Sequence, residues 1–322
     1  MSTTAQSYLV GLIGDGVMPS LTPPLHEREA DQHRLRYLYR PIDLTEIHRP
    51  AQDVGQLLRA AAELGYNAFN ITHPCKQLVM EHLDEISPNA ASIGAVNTVV
   101  IRDGKFHGHN TDASGFGWAL ATGLPQVPLE TVLQLGAGGA GAAVAYALLD
   151  SGVRHLILVD PEEQRARQRA AALSQNFPNR QISTATPQQA PQLLAQVDGL
   201  LNASPIGMHH HPGLPLELTN LEPRHWVGDC VYRPVDTELI TTARERGCRV
   251  LDGGNMAVGQ AVDAFEIITG IRPDAVRMRE HLLQMLEPDS DAHLHRHRLP
   301  LRHPGGKDAR LRQGRVRRHR DL

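Results

Sequence analysis

One segment of the chain reads Thr131-Val-Leu-Gln-Leu-Gly-Ala-Gly-Gly-Ala-Gly141, a short apolar run that ends in the spacing G-x-G-x-x-G. The Ala-rich residues 142–149 have the composition of a helix, and a second apolar run, His155-Leu-Ile-Leu-Val-Asp160, ends in an acid. A strand, a glycine loop, a helix and an acid about 20 residues further on together predict a dinucleotide-binding unit. The alternative is a glycine-rich turn in another kind of parallel α/β sheet.

Each glycine of this loop has a physical role in that interpretation. Gly136 permits the tight turn, Gly138 lets a pyrophosphate approach the backbone, and Gly141 lets the helix pack against the strand. The pyrophosphate would lie at the helix N-terminus, where free N–H groups and the helix dipole favour anions. The predicted cofactor-binding residues of the loop are Gly136, Ala137, Gly138, Gly139, Ala140 and Gly141.

The acid at position 160 indicates which nucleotide is bound. A carboxylate at the end of the second strand accepts hydrogen bonds from the adenosine ribose but repels a 2′-phosphate. Glu162 and Glu163 add further negative charge, so NAD is favoured over NADP. Arg165 and Arg167 follow within one helical turn and weaken this argument, because either could turn toward a phosphate or stack on the adenine.

The composition is that of a globular protein with two domains. The chain has 322 residues, of which 41% are hydrophobic and 21% charged. No apolar run approaches the roughly 20 residues of a membrane span, and the N-terminus has no signal-peptide pattern, so a cytoplasmic location is expected. Three scattered cysteines, Cys75, Cys230 and Cys248, have no metal-binding spacing, so we expect unpaired thiols and no metal site.

The net charge of −3 conceals an uneven distribution. Residues 288–322 contain ten Lys/Arg and four Asp/Glu, which gives this segment about +6 and the rest of the chain about −9. Low hydropathy and like charge predict a disordered, solvated extension. The segment lacks the interleaved aromatic residues of a nucleic-acid-binding surface, so a nucleic-acid partner is not expected.

The order of predicted elements indicates an α/β fold with an N-terminal α/β substrate domain, a doubly wound Rossmann NAD-binding domain and a cleft between them. We predict the substrate domain at residues 1–112, completed by helices within 256–287, and the NAD-binding domain at 113–255. In the first domain, the Thr22 hydroxyl is predicted to cap a helix. Predicted strands of the second domain are 131–135, 154–160, 181–184, 199–202, 226–229 and 249–251.

Four polar residues outside the glycine loop could carry chemistry. Lys76 follows a predicted strand, Asn97 begins another, Asp112 lies at a helix N-terminus, and Gln260 lies on a late helix. Oxidation of a secondary alcohol needs a proton acceptor for the hydroxyl, and a lysine serves when burial favours its neutral form. An aspartate beside it would favour the charged form and is better suited to orient the lysine. Taken singly, these residues could equally be a surface lysine, a turn residue and a helix cap.

The motifs around these residues are similar to those of the shikimate dehydrogenase family, and most of all to its NAD-dependent quinate/shikimate branch. The resemblance extends from about Tyr8 to Leu286. It rests on the segments Asn70-Ile-Thr-His-Pro-Cys-Lys76, Gly94-Ala-Val-Asn-Thr98, Asn110-Thr-Asp-Ala-Ser-Gly115, Gly136-Ala-Gly-Gly-Ala-Gly141, Asn202-Ala-Ser-Pro-Ile-Gly-Met208 and Gln260-Ala-Val-Asp-Ala-Phe265.

The resemblance implies roles for particular residues. Lys76 and Asp112 would form the catalytic pair, while Asn97, Asp112 and Gln260 would hold ring hydroxyls of the substrate. Ser20 and Thr22 would bind the substrate carboxylate, and a serine followed by a threonine resembles the quinate/shikimate branch. The remaining implied contacts are Thr72 and Tyr232 for the substrate, and Asp160, Arg165, Ala203, Pro205, Val231, Gly253 and Met256 for the cofactor.

Two departures from the family pattern affect these assignments. Cys75 stands where relatives commonly have Tyr or Phe, which affects packing around Lys76. Gly254-Asn-Met256 replaces the expected threonine-arginine-methionine, which changes the side chains available near the nicotinamide. Domain closure is expected, with Gly253-Gly254 and residues 112–115 as hinges.

The function implied by the resemblance is a reversible, NAD-dependent 3-dehydrogenation of quinate or shikimate, both small hydroaromatic carboxylates. The first alternative is a biosynthetic, NADP-dependent shikimate dehydrogenase. An alternative of another class is an inactive nucleotide-binding regulatory protein whose basic tail contacts nucleic acid. We expect a monomer or a homodimer.

Overall fold

The computed structural model describes residues 7–286, and the predictions for the tail at 288–322 lie outside these residues. The described chain contains two six-stranded sheets flanked by helices. This confirms the predicted α/β class with a Rossmann half. No helix among residues 7–286 is long and apolar enough to cross a membrane.

The first sheet is mixed and has the strand order β2-β1-β3-β5-β6-β4. Strand β1 pairs in parallel with β2 and β3, whereas β5 is antiparallel to both β3 and β6. Its elements are β1 (Ser7–Gly14), α1 (Thr22–Gln32), β2 (Arg36–Asp43), α2 (Val54–Glu63), β3 (Ala68–Ile71), α3 (Cys75–Leu78), β4 (Glu85–Ile86), α4 (Pro88–Ile93), β5 (Thr98–Arg102) and β6 (Lys105–His109). The short elements β4 and α4 were not predicted from the sequence.

The second sheet is entirely parallel and has the order β12-β11-β10-β7-β8-β9. The order reverses between β7 and β10, which is the doubly wound topology with its ligand-binding switch point. Its elements are β7 (Thr131–Leu135), α6 (Gly139–Asp150), β8 (His155–Val159), α7 (Glu163–Asn176), β9 (Gln181–Ala185), α8 (Ala190–Leu193), β10 (Gly199–Asn202), β11 (Trp226–Asp229), α9 (Glu238–Glu245) and β12 (Arg249–Leu251).

Three more helices join the two sheets: α5 (Thr111–Gly123), α10 (Gly253–Thr269) and α11 (Ala275–Leu286). Helix α5 leads from the first sheet to the second, and α10 returns. Phe265 near the end of α10 is fully buried against Val10, Tyr37 and Tyr39 of the first sheet. This explains why the buried positions of β2 alternate, since only one face of that strand is covered.

Helices α5 and α10 cross at two glycines. A methyl group at Gly115 would lie 2.3 Å from the Gln260 amide nitrogen, and one at Gly259 would lie 2.5 Å from the Gly115 carbonyl oxygen. Both segments predicted as hinges, 112–115 and Gly253-Gly254, lie within the first turns of regular helices, and their hinge role stays a prediction. A helix start near Gly253 was missed because two adjacent glycines usually indicate a break.

The C-terminal helix is fastened to α1 by a buried charge. Glu29 is fully buried and accepts hydrogen bonds from Arg277 Nε at 2.9 Å and from the Asp274 amide at 3.1 Å. One turn earlier, His26 is also fully buried, and its Nδ1 lies 3.2 Å from the Tyr37 hydroxyl. Burial lowers the pKa of His26 from 6.5 to about 3, although Glu29 opposes the shift.

His26 therefore predicts a loss of stability in mild acid. Between pH 6.5 and about pH 3, this histidine is protonated in the unfolded chain but stays neutral in the folded chain. We expect this group alone to lower the free energy of unfolding by about 1 kcal/mol per pH unit in that window. Urea titrations at pH 7 and pH 5.5 should show a smaller pH difference for His26→Gln than for the exposed control His48→Gln. Equal pH differences in the two variants would contradict the assignment.

Candidate active site

Lys76 and Asp112 form an ion pair next to the crossing of α5 and α10. The Lys76 Nζ atom lies 2.5 Å from Asp112 Oδ2, with side chains that are 17% and 10% exposed. Lys76 is the second residue of α3, just beyond the end of β3, and Asp112 lies in the first turn of α5. The Asn110 side chain caps α5 by accepting a hydrogen bond from the Ala113 amide at 3.1 Å. The predicted catalytic pair is thus brought together by two helix starts.

Asn97 holds the other oxygen of the carboxylate. Its Nδ2 donates to Asp112 Oδ1 at 2.9 Å and to Thr111 Oγ1 at 3.0 Å, and its Oδ1 accepts from the Thr111 amide at 2.8 Å. The Val96 amide donates to the Lys76 carbonyl at 2.9 Å, which fixes α3 against this segment. Both oxygens of Asp112 are therefore oriented by named partners.

The Lys76–Asp112 pair lies near the end of a strand in the second sheet. Burial, Asp229 and Asp112 together raise the pKa of the Cys230 thiol, and Cys230 directly follows β11. The negative charge of Asp112 therefore acts on the Cys230 thiol at the carboxyl edge of the second sheet. Cys75 is fully buried in the core of the first sheet, and burial raises its pKa to about 11. Burial thus favours the neutral thiol over the nucleophilic thiolate at both cysteines.

The predicted carboxylate-binding residues lie at the start of α1. The Ser20 hydroxyl accepts a hydrogen bond from the Thr22 amide at 3.3 Å. The prediction that the Thr22 hydroxyl caps α1 is wrong, since Thr22 is the first helical residue and Leu21 occupies the cap position without a side-chain hydrogen bond. Prolines in the first turn of this helix obscured which residue precedes it.

Three further residues were predicted to contact the substrate: Thr72, Gln260 and Tyr232. Thr72 follows β3, and its amide donates to the Ile13 carbonyl at 2.9 Å. The side-chain Nε2 of Gln260 donates to the Ala257 carbonyl of its own helix at 3.1 Å, which uses one of its two protons. Tyr232 is half-buried in the loop between β11 and α9, and burial raises its pKa.

Two residues that the sequence did not single out position the loop of Tyr232. Arg233 Nη1 donates to the Pro19 carbonyl at 3.0 Å, which joins this loop to the segment that contains Ser20. Asp229 accepts from Asn202 Nδ2 at 2.9 Å, from the Val231 amide at 2.9 Å and from Thr237 Oγ1 at 2.8 Å. Burial raises the pKa of Asp229 to about 6. Asp229 ends a predicted strand, as Asp160 does, and this position was the signal that could have identified it.

The glycine loop has the shape of a pyrophosphate site. Gly136 has a φ of +96°, and a methyl group there would lie 2.7 Å from the Ala203 carbonyl carbon. Methyl groups at Gly138 and Gly139 would meet nothing within 4 Å, so open space lies in front of these two residues. No side chain caps the N-terminus of α6. Free backbone donors, open space and a positive helix end fit a dinucleotide phosphate.

The buried side chain of Gln134 holds the glycine loop through two hydrogen bonds. Its Nε2 donates to the carbonyl oxygens of Gly136 and Gly141, both at 2.8 Å. Its position in the apolar run predicted only a place in a strand. A polar side chain in an otherwise apolar strand was the signal that could have identified it.

Asp160 is already engaged by protein donors. Its Oδ2 accepts from the Ala137 amide at 2.8 Å, and its Oδ1 accepts from the Glu162 amide at 2.9 Å and from Arg165 Nη1 at 3.2 Å. Arg165 also pairs with Glu162, and Arg167 pairs with Glu163 at 2.6 Å. The acid that favours NAD is therefore neutralised by an arginine that is 47% exposed.

The other predicted cofactor residues lie along the carboxyl edge of the second sheet. Ala203 follows β10 next to Gly136, and Pro205 is exposed in the loop beyond it. Val231 lies against the start of α10, where a methyl group at Gly253 would be 2.3 Å from the Val231 carbonyl oxygen. Met256 is buried one turn further along α10.

Comparisons with known proteins agree with this architecture. The sequence model of the shikimate dehydrogenase substrate binding domain matches residues 12–99, and that of the saccharopine dehydrogenase NADP binding domain matches residues 132–211. A shikimate dehydrogenase (NADP⁺) from Arthrobacter sp. strain FB24 is 61% identical over 286 residues, which cover 89% of this chain and 98% of the relative. This chain belongs to the shikimate dehydrogenase family.

Members of the family with the other cofactor are also similar. A quinate/shikimate dehydrogenase (NAD⁺) from Corynebacterium glutamicum strain R is 46% identical over 280 residues, covering 87% of this chain and 99% of the relative. The solved structure of quinate dehydrogenase from Corynebacterium glutamicum in complex with NAD has a TM-score of 0.83 and 46% identity, covering 86% of this chain and 99% of that one. The family prediction is confirmed, but the NAD-dependent branch is not, because the relative at higher identity is an NADP⁺ enzyme.

Proposed function

We propose that this protein is a shikimate dehydrogenase that interconverts the C3 hydroxyl of shikimate and the C3 ketone of 3-dehydroshikimate. The observation that carries the proposal is the cluster of Lys76, Asp112 and Asn97 beside the end of β11. A nicotinamide dinucleotide, when bound, supplies the hydride acceptor for oxidation and the hydride donor for reduction. A lysine held at 2.5 Å from a largely buried carboxylate favours an enzyme over an inactive regulatory protein.

Lys76 provides the proton transfer in this proposal. During oxidation its neutral amine accepts the proton of the C3 hydroxyl, and during reduction its ammonium returns a proton to the carbonyl oxygen. Asp112 holds Nζ in place through Oδ2, while Asn97 fixes the carboxylate through Oδ1. A fixed amine next to the reacting oxygen converts proton transfer into an intramolecular step.

The remaining residues orient the substrate ring. Ser20 and Thr22, at the positive end of α1, bind the carboxylate. Asn97, Asp112 and Gln260 form hydrogen bonds with the ring hydroxyls. Thr72 and Tyr232 are secondary contacts of the substrate. Gln260 keeps a second Nε2 proton and its Oε1 for a ring hydroxyl while it donates to the Ala257 carbonyl of its own helix.

For the cofactor we propose NADP first, which is the alternative of the sequence analysis. The 61% identical relative supports it, and Arg165 is an exposed cation within reach of a 2′-phosphate at the end of β8. The second candidate is NAD, with quinate or shikimate as substrate. A specific observation favours this candidate, since the buried Asp160 carboxylate repels a 2′-phosphate whenever Arg165 turns away.

Initial rates in a grid of NADP and NAD against shikimate and quinate test both levels of the proposal. We expect the highest kcat/KM with NADP and shikimate, and Arg165→Ala should raise KM for NADP but not for NAD. The matched control is Arg167→Ala, which removes a neighbouring arginine that pairs with Glu163 instead of Asp160. A preference for NAD would select the second candidate, and the absence of activity in all four combinations would refute the dehydrogenase proposal.

A further inference from the structure

We propose that Tyr39, Asn70 and Thr98 are positioning residues that orient the Asp112 carboxylate through Asn97. We call Tyr39, Asn70, Thr98, Asn97 and Asp112 the polar chain. The inference rests on the proposed function, because it assumes that Lys76 and Asp112 carry out proton transfer. It assigns a task to three buried polar residues that neither touch the lysine nor were predicted as site residues.

The hydrogen bonds of the polar chain run without a gap from β2 to α5. The Tyr39 hydroxyl donates to Asn70 Oδ1, and Asn70 Nδ2 donates to Thr98 Oγ1 at 2.9 Å. Thr98 Oγ1 donates to Asn97 Oδ1 at 3.1 Å, and Asn97 Nδ2 donates to Asp112 Oδ1 at 2.9 Å. The chain therefore takes residues from β2, β3 and β5 of the first sheet, passes over β1 between the first two, and ends at the carboxylate.

The direction of these bonds follows from the carboxylate end. An ionised Asp112 only accepts, so Asn97 must present its Nδ2 group to it and its Oδ1 to Thr98. Asn97 Oδ1, at 3.1 Å, is a closer acceptor for the single hydroxyl proton of Thr98 than the Thr111 hydroxyl at 3.4 Å, and the Thr98 oxygen accepts from the Asn70 amide. Asn70 consequently turns its Oδ1 toward Tyr39, and Tyr39 has to donate.

All four residues behind the carboxylate are buried, so water does not replace a missing partner. Burial raises the pKa of Tyr39 well above its usual value, which keeps its hydroxyl proton available as the donor at the far end. Bonds that all point the same way polarise one another and strengthen the last donor, the Asn97 amide. Loss of a member of the chain removes this polarisation and leaves a buried hydrogen-bonding group behind Asn97 without its partner, which weakens the hold of Asn97 on Asp112.

The first test replaces the donor at the far end of the chain. Tyr39→Phe should lower kcat by about tenfold while KM for the cofactor stays within twofold. The substitution leaves the buried Asn70 Oδ1 atom without its donor, which weakens the orientation of Asn97 and Asp112. Tyr37→Phe is the matched control. It removes another buried tyrosine hydroxyl from the same strand, but one whose partner is His26 and not the polar chain. We expect Tyr37→Phe to retain the wild-type kcat.

The second test separates the hydroxyl from the shape of the side chain in the middle of the polar chain. Thr98→Val keeps the volume but removes the hydroxyl and should lower kcat at least as much as Tyr39→Phe. Thr98→Ser restores the hydroxyl and should recover most of the activity. Thermal unfolding of each variant shows that the folded protein is being compared.

The outcomes distinguish this inference from the proposed function. If the wild type has no dehydrogenase activity, the proposed function fails and the inference falls with it. If the wild type is active and Tyr39→Phe lowers kcat no more than Tyr37→Phe, the positioning role alone is refuted. Failure of Thr98→Ser to recover activity above Thr98→Val refutes it as well.

Discussion

Lys76→Ala should reduce kcat by about 10²–10⁴-fold and leave cofactor binding unchanged, because a general acid–base group contributes a factor of that size. The variant keeps the glycine loop and the Asp160 region intact, since neither contacts Lys76. Asp112 Oδ1 keeps its hydrogen bond from Asn97 Nδ2 at 2.9 Å, but Oδ2 loses the Lys76 Nζ atom that lies 2.5 Å away in the wild type. The loss should therefore fall on turnover and not on the KM of the dinucleotide.

Initial rates and cofactor titration by fluorescence check this prediction. Lys105→Ala is the control, because Lys105 is an exposed lysine on β6 at 4.0 Å from Glu85. Added methylamine should restore part of the lost rate by filling the space of the missing amine. Turnover of Lys76→Ala within a few fold of wild type would exclude Lys76 as the proton-transfer group.

Gly115→Ala should destabilise the protein and impair the site together. The added methyl group would lie 2.3 Å from the backbone nitrogen of Gln260, so α5 and α10 have to separate. Overpacking of this kind lowers the free energy of unfolding by about 1–3 kcal/mol. A displacement of Asp112 by about 1 Å relative to the substrate contacts on α10 is enough to reduce kcat/KM by up to roughly 10²-fold.

Gly117→Ala in the same helix is the matched control for this substitution. A methyl group at Gly117 meets nothing within 4 Å. Its expected effect is a small gain in stability of up to about 1 kcal/mol from helix propensity, with unchanged kinetics. Thermal unfolding and kcat/KM of both variants measure the difference. A Gly115→Ala variant as stable and as active as Gly117→Ala would contradict the close helix crossing.

The parts of the fold that follow local patterns were predictable from the sequence. The apolar runs at Thr131–Leu135 and His155–Val159 and the glycines between them specify a strand, a turn and a helix without reference to the rest of the chain. Lys76, Asn97 and Asp112 each lie where an element begins or ends, but their roles were predicted from the family motifs around them. Their mutual contacts depend on strand order, which no local pattern encodes.

The missed features depend on partners that are distant in sequence. Arg165 neutralises Asp160 from the following helix, so the charge at the cofactor site differs from the one suggested by the acids at 160, 162 and 163. Tyr39 is separated from Asn70 by 31 residues, and its alternation in β2 indicates only that it is buried. One usable signal was overlooked, since the arginine-rich sequence contains only three lysines, Lys76, Lys105 and Lys307. An arginine at position 76 would not release a proton at neutral pH.

The contact of Gly115 with Gly259 has a mechanical consequence. Two helices that touch backbone to backbone resist being pulled apart more than being swivelled, so the crossing acts as the fulcrum for any rotation of one sheet against the other. Asp112 lies three residues from this fulcrum, about 4.5 Å along the helix axis, and has a short lever arm. The Arg233–Pro19 contact joins loops of opposite sheets away from the two helices. Opening for exchange of ligands would thus displace Ser20 and Thr22, the residues proposed to bind the substrate carboxylate, more than the Asp112 side chain that is paired with Lys76.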